Sequence, residues 1–251
     1  MKKSILTLVN VSKTYNQEMN AKDAVAAVNF SIPQNDFCAI MGGSGSGKTT
    51  LLNLIATVEE VTYGNIYIDG TDITTLGERE KAEIRSKKIG MIFQDYNLLN
   101  SLTLYENILL AQAFQKKNYG KLKETIYYLG DRLGIKQCLN KYPYEVSGGE
   151  KQRCACLRAL VKQPSILLAD EPTGALDTKS SKELMGLFQQ LNSEFSVTIL
   201  LVTHDPIVAS YADHVYIMKD GNIIDNILPH IKTRKDFLKQ IIDFWGRDEI
   251  E

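Results

Sequence analysis

Runs of consecutive apolar residues recur along the chain, and several end just before loops of glycine or charged residues. Three of these runs are Phe37 to Met41, Ile166 to Ala169 and Thr198 to Val202. An unbroken apolar run of strand length, bounded by turn residues, is typical of a parallel strand that is buried on both faces. We therefore expect the three runs to be central strands of one sheet.

Between these strands the apolar period becomes helical. The apolar residues are Leu51, Leu52, Leu54 and Ile55 after the first run, and Leu184, Leu187, Phe188 and Leu191 before the last. Alternating strands and helices predict an α/β core with a mainly parallel sheet. In such a core, ligands bind at the carboxyl ends of the strands.

Two further patterns depart from this alternation. Residues 95–163 are mostly helical in pattern, most clearly at 105–114 and 121–133, and they predict an all-helical insertion. Three other segments have the bounding turns of antiparallel strands. They are residues 6–11, 25–32 and 64–70. These segments predict a small antiparallel β side sheet.

We expect one domain over residues 1–230, with its core at about 1–94 and 164–230, and a carboxyl-terminal amphipathic helix over 231–251. That helix holds the chain's only tryptophan, and its apolar residues share one face. They are Phe237, Leu238, Ile241, Ile242 and Trp245. We expect it to serve for contact, with the core of its own subunit or with a partner.

Charge and composition narrow the possible functions. Among 251 residues, 29 Lys and Arg face 30 Asp and Glu, so the chain lacks the broad positive field that non-specific nucleic-acid binding uses. No apolar run approaches the roughly 18 to 20 residues of a membrane-spanning helix, and no signal-peptide pattern begins the chain. We therefore expect a cytoplasmic protein whose four cysteines are core residues. They are Cys38, Cys138, Cys154 and Cys156.

A glycine-rich loop follows the first central strand and precedes a predicted helix. Its residues are Gly42, Gly43, Ser44, Gly45, Ser46, Gly47, Lys48 and Thr49, followed by Thr50. They match the phosphate-binding pattern G-x-x-x-x-G-K-[ST], in which glycines turn successive amides toward the phosphates. Lys48 should bridge the β and γ phosphates, while Thr49 offers a hydroxyl to Mg²⁺. A flexible Gly/Ser linker would need neither Lys-Thr nor a buried strand before it.

Two carboxylates, Asp170 and Glu171, end the second central strand. With the glycine-rich loop, this predicts an apolar strand that delivers a carboxylate to the metal of a nucleotide. We assign Asp170 to the metal, directly or through water. Glu171 is the candidate general base that accepts a proton from the attacking water.

The segment Ser147-Gly148-Gly149-Glu150 resembles the signature sequence of ATP-binding cassette (ABC) ATPases, and the resemblance extends over nearly the whole chain. Departures from the pattern are Val146 for the commoner Leu and Glu150 for the commoner Gln. Four further positions match family motifs in family order. Tyr15 lies where the family stacks adenine, Gln94 where a glutamine reaches Mg²⁺ and water, Asp177 in the D-loop, and His204 where a histidine meets the γ phosphate.

The resemblance implies a dimer. Ser147 can cap a helix, and Gly148 and Gly149 leave its first amides open to a phosphate, so one chain carries two phosphate sites. In the family, two subunits meet head to tail and hold ATP between the glycine-rich loop of one and the signature of the other. The implied cofactors are ATP and Mg²⁺, and the implied partner is a second copy of the chain.

The resemblance also implies a membrane partner. Family members usually drive a permease whose cytoplasmic helices dock beside the glutamine loop, here from Tyr96 to Glu106, which would hold this chain at the cytoplasmic face of the membrane. The residues from Pro172 to Asp177, with the signature, resemble the branch of macrolide exporters, lipoprotein-release systems and bacitracin-type antimicrobial-peptide resistance transporters. The residues from Phe93 to Leu99 particularly resemble the last group.

Three alternatives remain open at this stage. A cell-division ATPase of the same branch would activate an extracytoplasmic wall enzyme without transport. A soluble ABC ATPase of DNA repair or translation normally carries a coiled-coil insertion or a second cassette, and neither fits in 251 residues. A non-enzymatic nucleotide-binding module is opposed by four intact residues, which are Lys48, Asp170, Glu171 and His204.

Overall fold

Ten strands and eight α-helices make up the part of the chain that the computed structural model describes, residues 3–15, 23–112, 119–229 and 233–248. The strands are β1 Ser4–Lys13, β2 Val25–Pro33, β3 Phe37–Met41, β4 Tyr63–Ile68, β5 Thr71–Asp72, β6 Ile89–Ile92, β7 Ile166–Asp170, β8 Thr198–Thr203, β9 His214–Lys219 and β10 Asn222–Ile227. The helices are α1 Lys48–Ile55, α2 Glu78–Lys87, α3 Leu104–Leu110, α4 Tyr119–Arg132, α5 Gly148–Leu160, α6 Thr178–Phe195, α7 Pro206–Ala209 and α8 Arg234–Asp248. Short 3₁₀ helices lie at Lys136–Cys138 and Pro143–Glu145.

The central sheet has six strands in the order β10-β9-β3-β8-β7-β6. All neighbours are parallel except β9 and β10, which form an antiparallel hairpin at one edge. The three apolar runs are β3, β7 and β8, and their apolar residues are buried as predicted. Strands β6, β9 and β10 were not predicted. Strand β6 has only four residues and contains Gly90, where a Cβ would come within 2.5 Å of Leu167.

A second, antiparallel sheet has the order β2-β1-β4-β5, which confirms the predicted side sheet. Its buried side chains join those of α1 and one face of the central sheet in a common apolar cluster. Phe30 and Tyr216 connect the two sheets with ring centroids 4.9 Å apart. The sheet closes tightly at Gly64, whose φ is +88° and whose Cβ would lie 2.3 Å from the Asn10 carbonyl oxygen.

The predicted insertion is mainly helical in its described residues, since α3, α4, α5 and the two 3₁₀ helices follow one another after an irregular segment at 95–103. The predicted stretch 105–114 corresponds to α3, which ends at Leu110, and Phe114 lies outside the described residues. Buried residues of these helices, such as Ile108 and Ile126, belong to the same apolar cluster as the other face of the central sheet. The helices are therefore packed on the core.

Helix α8 packs on its own subunit. Phe237 and Ile241 are buried in the main cluster, while Phe244 and Trp245 pack against its edge. Ile242, which we predicted on the apolar face, is 48% exposed. The residues that pack on the core are spaced i, i+4, i+7 and i+8 from Phe237, so the packed face of the helix includes Phe244. Ile242 lies at the side of that face.

None of the helices described by the structure is long and apolar enough to cross a membrane.

Candidate functional site

The predicted functional loops begin at one edge of the central sheet. Strands β3, β6, β7 and β8 are parallel, so their carboxyl ends lie side by side, with Met41 paired to Thr203 and Asp170 paired to Val202. The glycine-rich loop follows β3, Gln94 follows β6, and His204 follows β8. The edge therefore gathers these residues from four separate parts of the chain.

The glycine-rich loop is held in place by contacts that only glycine permits. Gly42 donates its amide to the carbonyl of Thr203 at 3.3 Å. Gly47 precedes α1 with φ at +100°, and a Cβ there would lie 2.1 Å from the Ala24 carbonyl oxygen. Since α1 begins at Lys48, its first amides and the positive end of its dipole lie at the loop. The loop is thus built to receive an anion.

Lys48 lies inside the loop and is 7% exposed. Its Nζ donates to the carbonyl oxygens of Gly42 at 2.9 Å and Gly43 at 2.7 Å. Burial lowers the pKa of the ammonium, and the nearby carboxylates Glu171 and Asp170 oppose that effect. A bound phosphate would replace the two carbonyls as the partner of this ammonium.

Asp170 and Thr49 provide adjacent oxygen atoms, since the Thr49 hydroxyl donates to Asp170 Oδ1 at 3.2 Å. Burial raises the pKa of the Asp170 carboxyl. Mg²⁺ is usually held by one or two carboxylates together with water and substrate phosphates, so these two oxygens fit a nucleotide-bound Mg²⁺. Within the described ranges, no cluster of three or more His, Cys, Asp or Glu residues forms a metal site from protein groups alone.

Glu171 and His204 form a pair, with Oε1 of the carboxylate 2.9 Å from Nδ1 of the ring. Glu171 has φ at +43°, an uncommon value for a residue with a side chain, and its amide donates to the Val202 carbonyl at 3.0 Å. Strained backbone of this kind concentrates at functional sites. The turn directs the Glu171 side chain to the loop after β8, where His204 is 68% exposed at its side chain.

Gln94 lies against the segment that follows Glu171. A Cβ built on Gly174 would come within 2.9 Å of the Gln94 side-chain Cδ, so glycine is required there for this contact. The Gly174 amide donates to the Glu171 carbonyl at 2.9 Å. The structure therefore brings Gln94 to the loop of the candidate base.

Tyr15 stands at the other end of the loop, beside α1, and is 58% exposed. Its hydroxyl donates to Glu59 Oε2 at 2.7 Å and lies 3.3 Å from the Thr50 hydroxyl. The Lys13 ammonium lies 5.2 Å from the ring centroid. These contacts fix an exposed ring that can stack on a planar base.

The signature segment begins α5. Ser147 is the N-cap, its hydroxyl accepting the Glu150 amide at 3.3 Å, while Glu150 Oε2 accepts the Ser147 amide at 2.8 Å. Glu150, one of the two departures from the family pattern, thus completes a capping box. Hydrogen bonds from Cys138 and Ser147 lower the pKa of the Glu150 carboxyl.

The signature does not meet the phosphate-binding loop of its own chain. In the part of the chain that the structure describes, no hydrogen bond joins residues 147–150 to residues 42–50. Gly149 instead lies near α6, where a Cβ would be 3.5 Å from the Ser180 hydroxyl. Asp177 caps α6 through the amides of Lys179 and Ser180, so the predicted D-loop residue also has a local structural role.

Gln152 was missed by sequence reasoning. It is fully buried on α5, and its Nε2 donates to the carbonyls of Pro172 at 2.8 Å and Phe93 at 3.3 Å. One side chain thus ties the signature helix to the loops of both Gln94 and Glu171. The sequence does contain a signal for it: Gln152 lies on the same helical face as Cys156 and Ala159, and a polar residue on an apolar face indicates a buried hydrogen bond.

The chain resembles known ATP-binding cassettes in sequence and in fold. A family model described as ABC transporter matches residues 25–174. The bacitracin export ATP-binding protein BceA of Halalkalibacterium halodurans is 42% identical, with 97% of this chain and 96% of that protein covered. An uncharacterized ABC transporter ATP-binding protein of Bacillus subtilis, YvcR, is 44% identical, with 96% and 93% covered. A solved dimeric ATP-binding cassette in a post-hydrolysis state, bound to ADP and Pi, has a TM-score of 0.82 and 35% identity, with 90% of this chain and all of that chain covered.

Proposed function

We propose that this chain, which belongs to the ABC transporter family of ATP-binding proteins, binds ATP and Mg²⁺ between two copies of itself and thereby drives a separate membrane permease. The ATPase assignment follows from the family. The proposed binding of ATP and Mg²⁺ rests on one observation: the phosphate-binding loop, Asp170 and the Glu171–His204 pair lie together at one edge of the sheet.

At this edge each side chain has a distinct task. The loop amides and Lys48 bind the β and γ phosphates, and Tyr15 stacks on the base. Thr49 and Asp170, with Gln94, would hold Mg²⁺, and the ion would supply positive charge beside the phosphates. Glu171 accepts a proton from the attacking water, whose oxygen bonds to the γ phosphorus as the bond to the β-phosphate oxygen breaks. His204 donates a hydrogen bond to the γ phosphate.

The signature completes the site from a second copy. The first amides of α5 are helix N-terminal donors, a ready anion site, and they are not bonded to their own chain's loop. In the head-to-tail dimer, Ser147, Gly148, Gly149 and Glu150 of one copy face the γ phosphate held by the other. The dimeric ATP-binding cassette of similar fold supports this arrangement.

The transported substrate is an antimicrobial peptide of the bacitracin class. The proposal rests on a relative named for bacitracin export that is 42% identical over nearly the full length of both chains. The permease docks near Tyr96 to Glu106, where Leu99 is 49% exposed, and holds the chain at the cytoplasmic face of the membrane.

One experiment tests both the partner and the substrate. We expect the chain to co-purify from membranes with its permease, and cells expressing both to survive bacitracin. Cells with Glu171→Gln should lose that survival, whereas cells with the surface control Glu194→Gln should keep it. Equal survival of wild-type and Glu171→Gln cells would contradict the peptide-resistance role, and absence from the membrane fraction would contradict the permease partner.

A further inference from the structure

The end of α8 lies beside the phosphate-binding loop. Trp245 lines a cavity of about 290 Å³ together with loop residues 43–46 and residues 218–220 of the β9–β10 hairpin. The ring is partly buried and packs against the edge of the main apolar cluster. The chain's only tryptophan is therefore a neighbour of the loop proposed to bind ATP.

The tip of that loop has few other neighbours. Ser44 and Gly45 are exposed, and a Cβ at Gly43 or Gly45 would meet no atom within 4 Å. The base of the loop is better held, because the Gly221 amide donates to the Ser46 carbonyl at 3.0 Å. An aromatic ring is large and rigid, so Trp245 can restrict the tip where the backbone alone leaves space.

The first part of helix α8 lies near the segment that carries His204. It packs on α7, and α7 begins directly after His204 and Asp205. Asp205 caps α7 by accepting the Ile207 amide at 2.7 Å, and the Arg234 guanidinium lies 4.2 Å from the Tyr211 ring centroid. One rigid helix therefore runs from the segment of the candidate histidine to the phosphate-binding loop.

Lys48 connects the cavity to the nucleotide. Its ammonium binds the carbonyl of Gly43, one of the residues that share the cavity with Trp245. When Lys48 exchanges that carbonyl for a phosphate, the surroundings of Gly43 change. The change occurs in the same cavity that the ring lines.

We propose that Trp245 is a positioning residue for the phosphate-binding loop, held by α8 at the cavity that the ring and residues 43–46 line together. The inference rests on the proposed ATP site and adds a contribution from a residue outside the family motifs. The ring limits the conformations of residues 43–45, so the free loop stays close to its nucleotide-binding form. A smaller side chain leaves the loop to be ordered by the nucleotide, which weakens binding.

The first test uses the unaltered protein, since all tryptophan emission comes from Trp245. We expect ATP with Mg²⁺, or ADP, to change the emission in a saturable manner, and Lys48→Ala to shift the midpoint to higher nucleotide concentration. An emission spectrum unaffected by saturating nucleotide would overturn the proposal.

The second test separates positioning from general stability. Trp245→Ala should raise the KM for ATP roughly fivefold with little change in kcat, and Trp245→Phe should restore most of the affinity because it keeps an aromatic ring. Ile242→Ala, on the exposed flank of the same helix, is the matched control and should change neither constant. An unchanged KM for Trp245→Ala would overturn the inference even where the wild type hydrolyses ATP normally. A wild type without ATPase activity would instead contradict the proposed function, while the emission titration would still test whether nucleotide alters the loop beside Trp245.

Discussion

Glu171, the proposed general base, has a positive φ, a partly buried carboxylate and a histidine partner at 2.9 Å. The positive φ turns its side chain away from the direction of β7, whose last residue, Asp170, faces Thr49. Two adjacent carboxylates thus reach different partners, Asp170 the Thr49 hydroxyl of the proposed metal site and Glu171 a histidine.

Replacing the candidate base tests this division of roles. We expect Glu171→Gln to retain ATP binding while hydrolysis falls at least about 100-fold, because the amide keeps the shape but cannot accept the proton of the water. ATP should then hold two chains together, which size-exclusion chromatography with ATP and Mg²⁺ would detect. A phosphate-release rate equal to that of the wild type would remove Glu171 from this role.

At this scale the sequence predicts which residues meet but not how each is held. Lys48, Asp170 and His204 could be assigned to one edge because each follows a parallel strand in a recognisable motif. The bonds between Lys48 and its own loop carbonyls depend on the closed loop, and the contact of Gln94 with Gly174 depends on the packing of two loops. Neither of these leaves a periodic pattern in the chain.

Among the elements, α5 carries both the exposed signature and the buried Gln152. The same helix therefore begins with the amides that we propose face a second copy, and its side chain at Gln152 bonds the loops of its own site. Arg158, six residues after Gln152, adds bonds to the carbonyls of Tyr96 and Asn97 in the proposed permease-docking segment. Side chains of α5 therefore connect that segment and the loops of Gln94 and Glu171 to the helix that the signature begins.

The substitution Gly149→Asp tests the role of the signature without disturbing the fold of the monomer. The new Cβ would make only ordinary van der Waals contact with Ser180, at 3.5 Å. A negative charge in the first turn of α5 is also stabilised by the helix dipole. The monomer should therefore fold and bind ATP normally, while hydrolysis is suppressed because the negative charge repels the γ phosphate held by the other copy. The measurement compares nucleotide affinity with turnover in the purified variant, and an equal loss of both would argue against a site shared across a dimer.

Truncation after Leu228 tests the contribution of α8 to the core. It removes the buried side chains of Phe237 and Ile241, each of which contributes roughly 1.5–3 kcal/mol to the free energy of unfolding. We expect a lower Tm by calorimetry for the isolated truncated subunit. The control Ile242→Ala alters an exposed residue and should leave the Tm unchanged. An unaltered Tm after truncation would mean that the observed packing contributes nothing to stability.

In the whole molecule, two apolar clusters cover the two faces of the central sheet. One includes the side sheet and α1, and the other includes the helices of residues 95–163 together with α8. The sequence predicted the layers from three long apolar runs. It missed α2 and β10, whose residues are mostly polar or exposed, and it also missed β9, although Val215 to Met218 form an apolar run of the same kind.

Four buried thiols make the folded molecule sensitive to alkali. Burial raises the pKa of each, to about 11 at Cys138 and about 12 at Cys154, from an ordinary value of 9.0. Above pH 9 the unfolded chain releases protons that the folded chain retains, so the free energy of unfolding should be unaffected by the thiols below pH 9 and fall between about pH 9 and 11.

Urea unfolding at a series of pH values would measure this slope. Cys138→Ser replaces the thiol donor to Glu150 by a hydroxyl donor and removes one titrating thiol, so it should make the fall with pH less steep. A free energy of unfolding that stays constant from about pH 8 to 11 would contradict the expectation.

The bonds of Lys48 to the carbonyls of Gly42 and Gly43 also affect which anions the protein admits. Any ligand must compete with the protein's own backbone for this ammonium, so a small anion gains only the difference between two sets of hydrogen bonds. Inorganic phosphate offers one charged group in exchange. A nucleoside triphosphate would engage more of the loop amides and, in the proposed site, the Tyr15 ring. We therefore expect the loop to favour a nucleoside triphosphate over free phosphate, since the Lys48 ammonium already has two carbonyl partners.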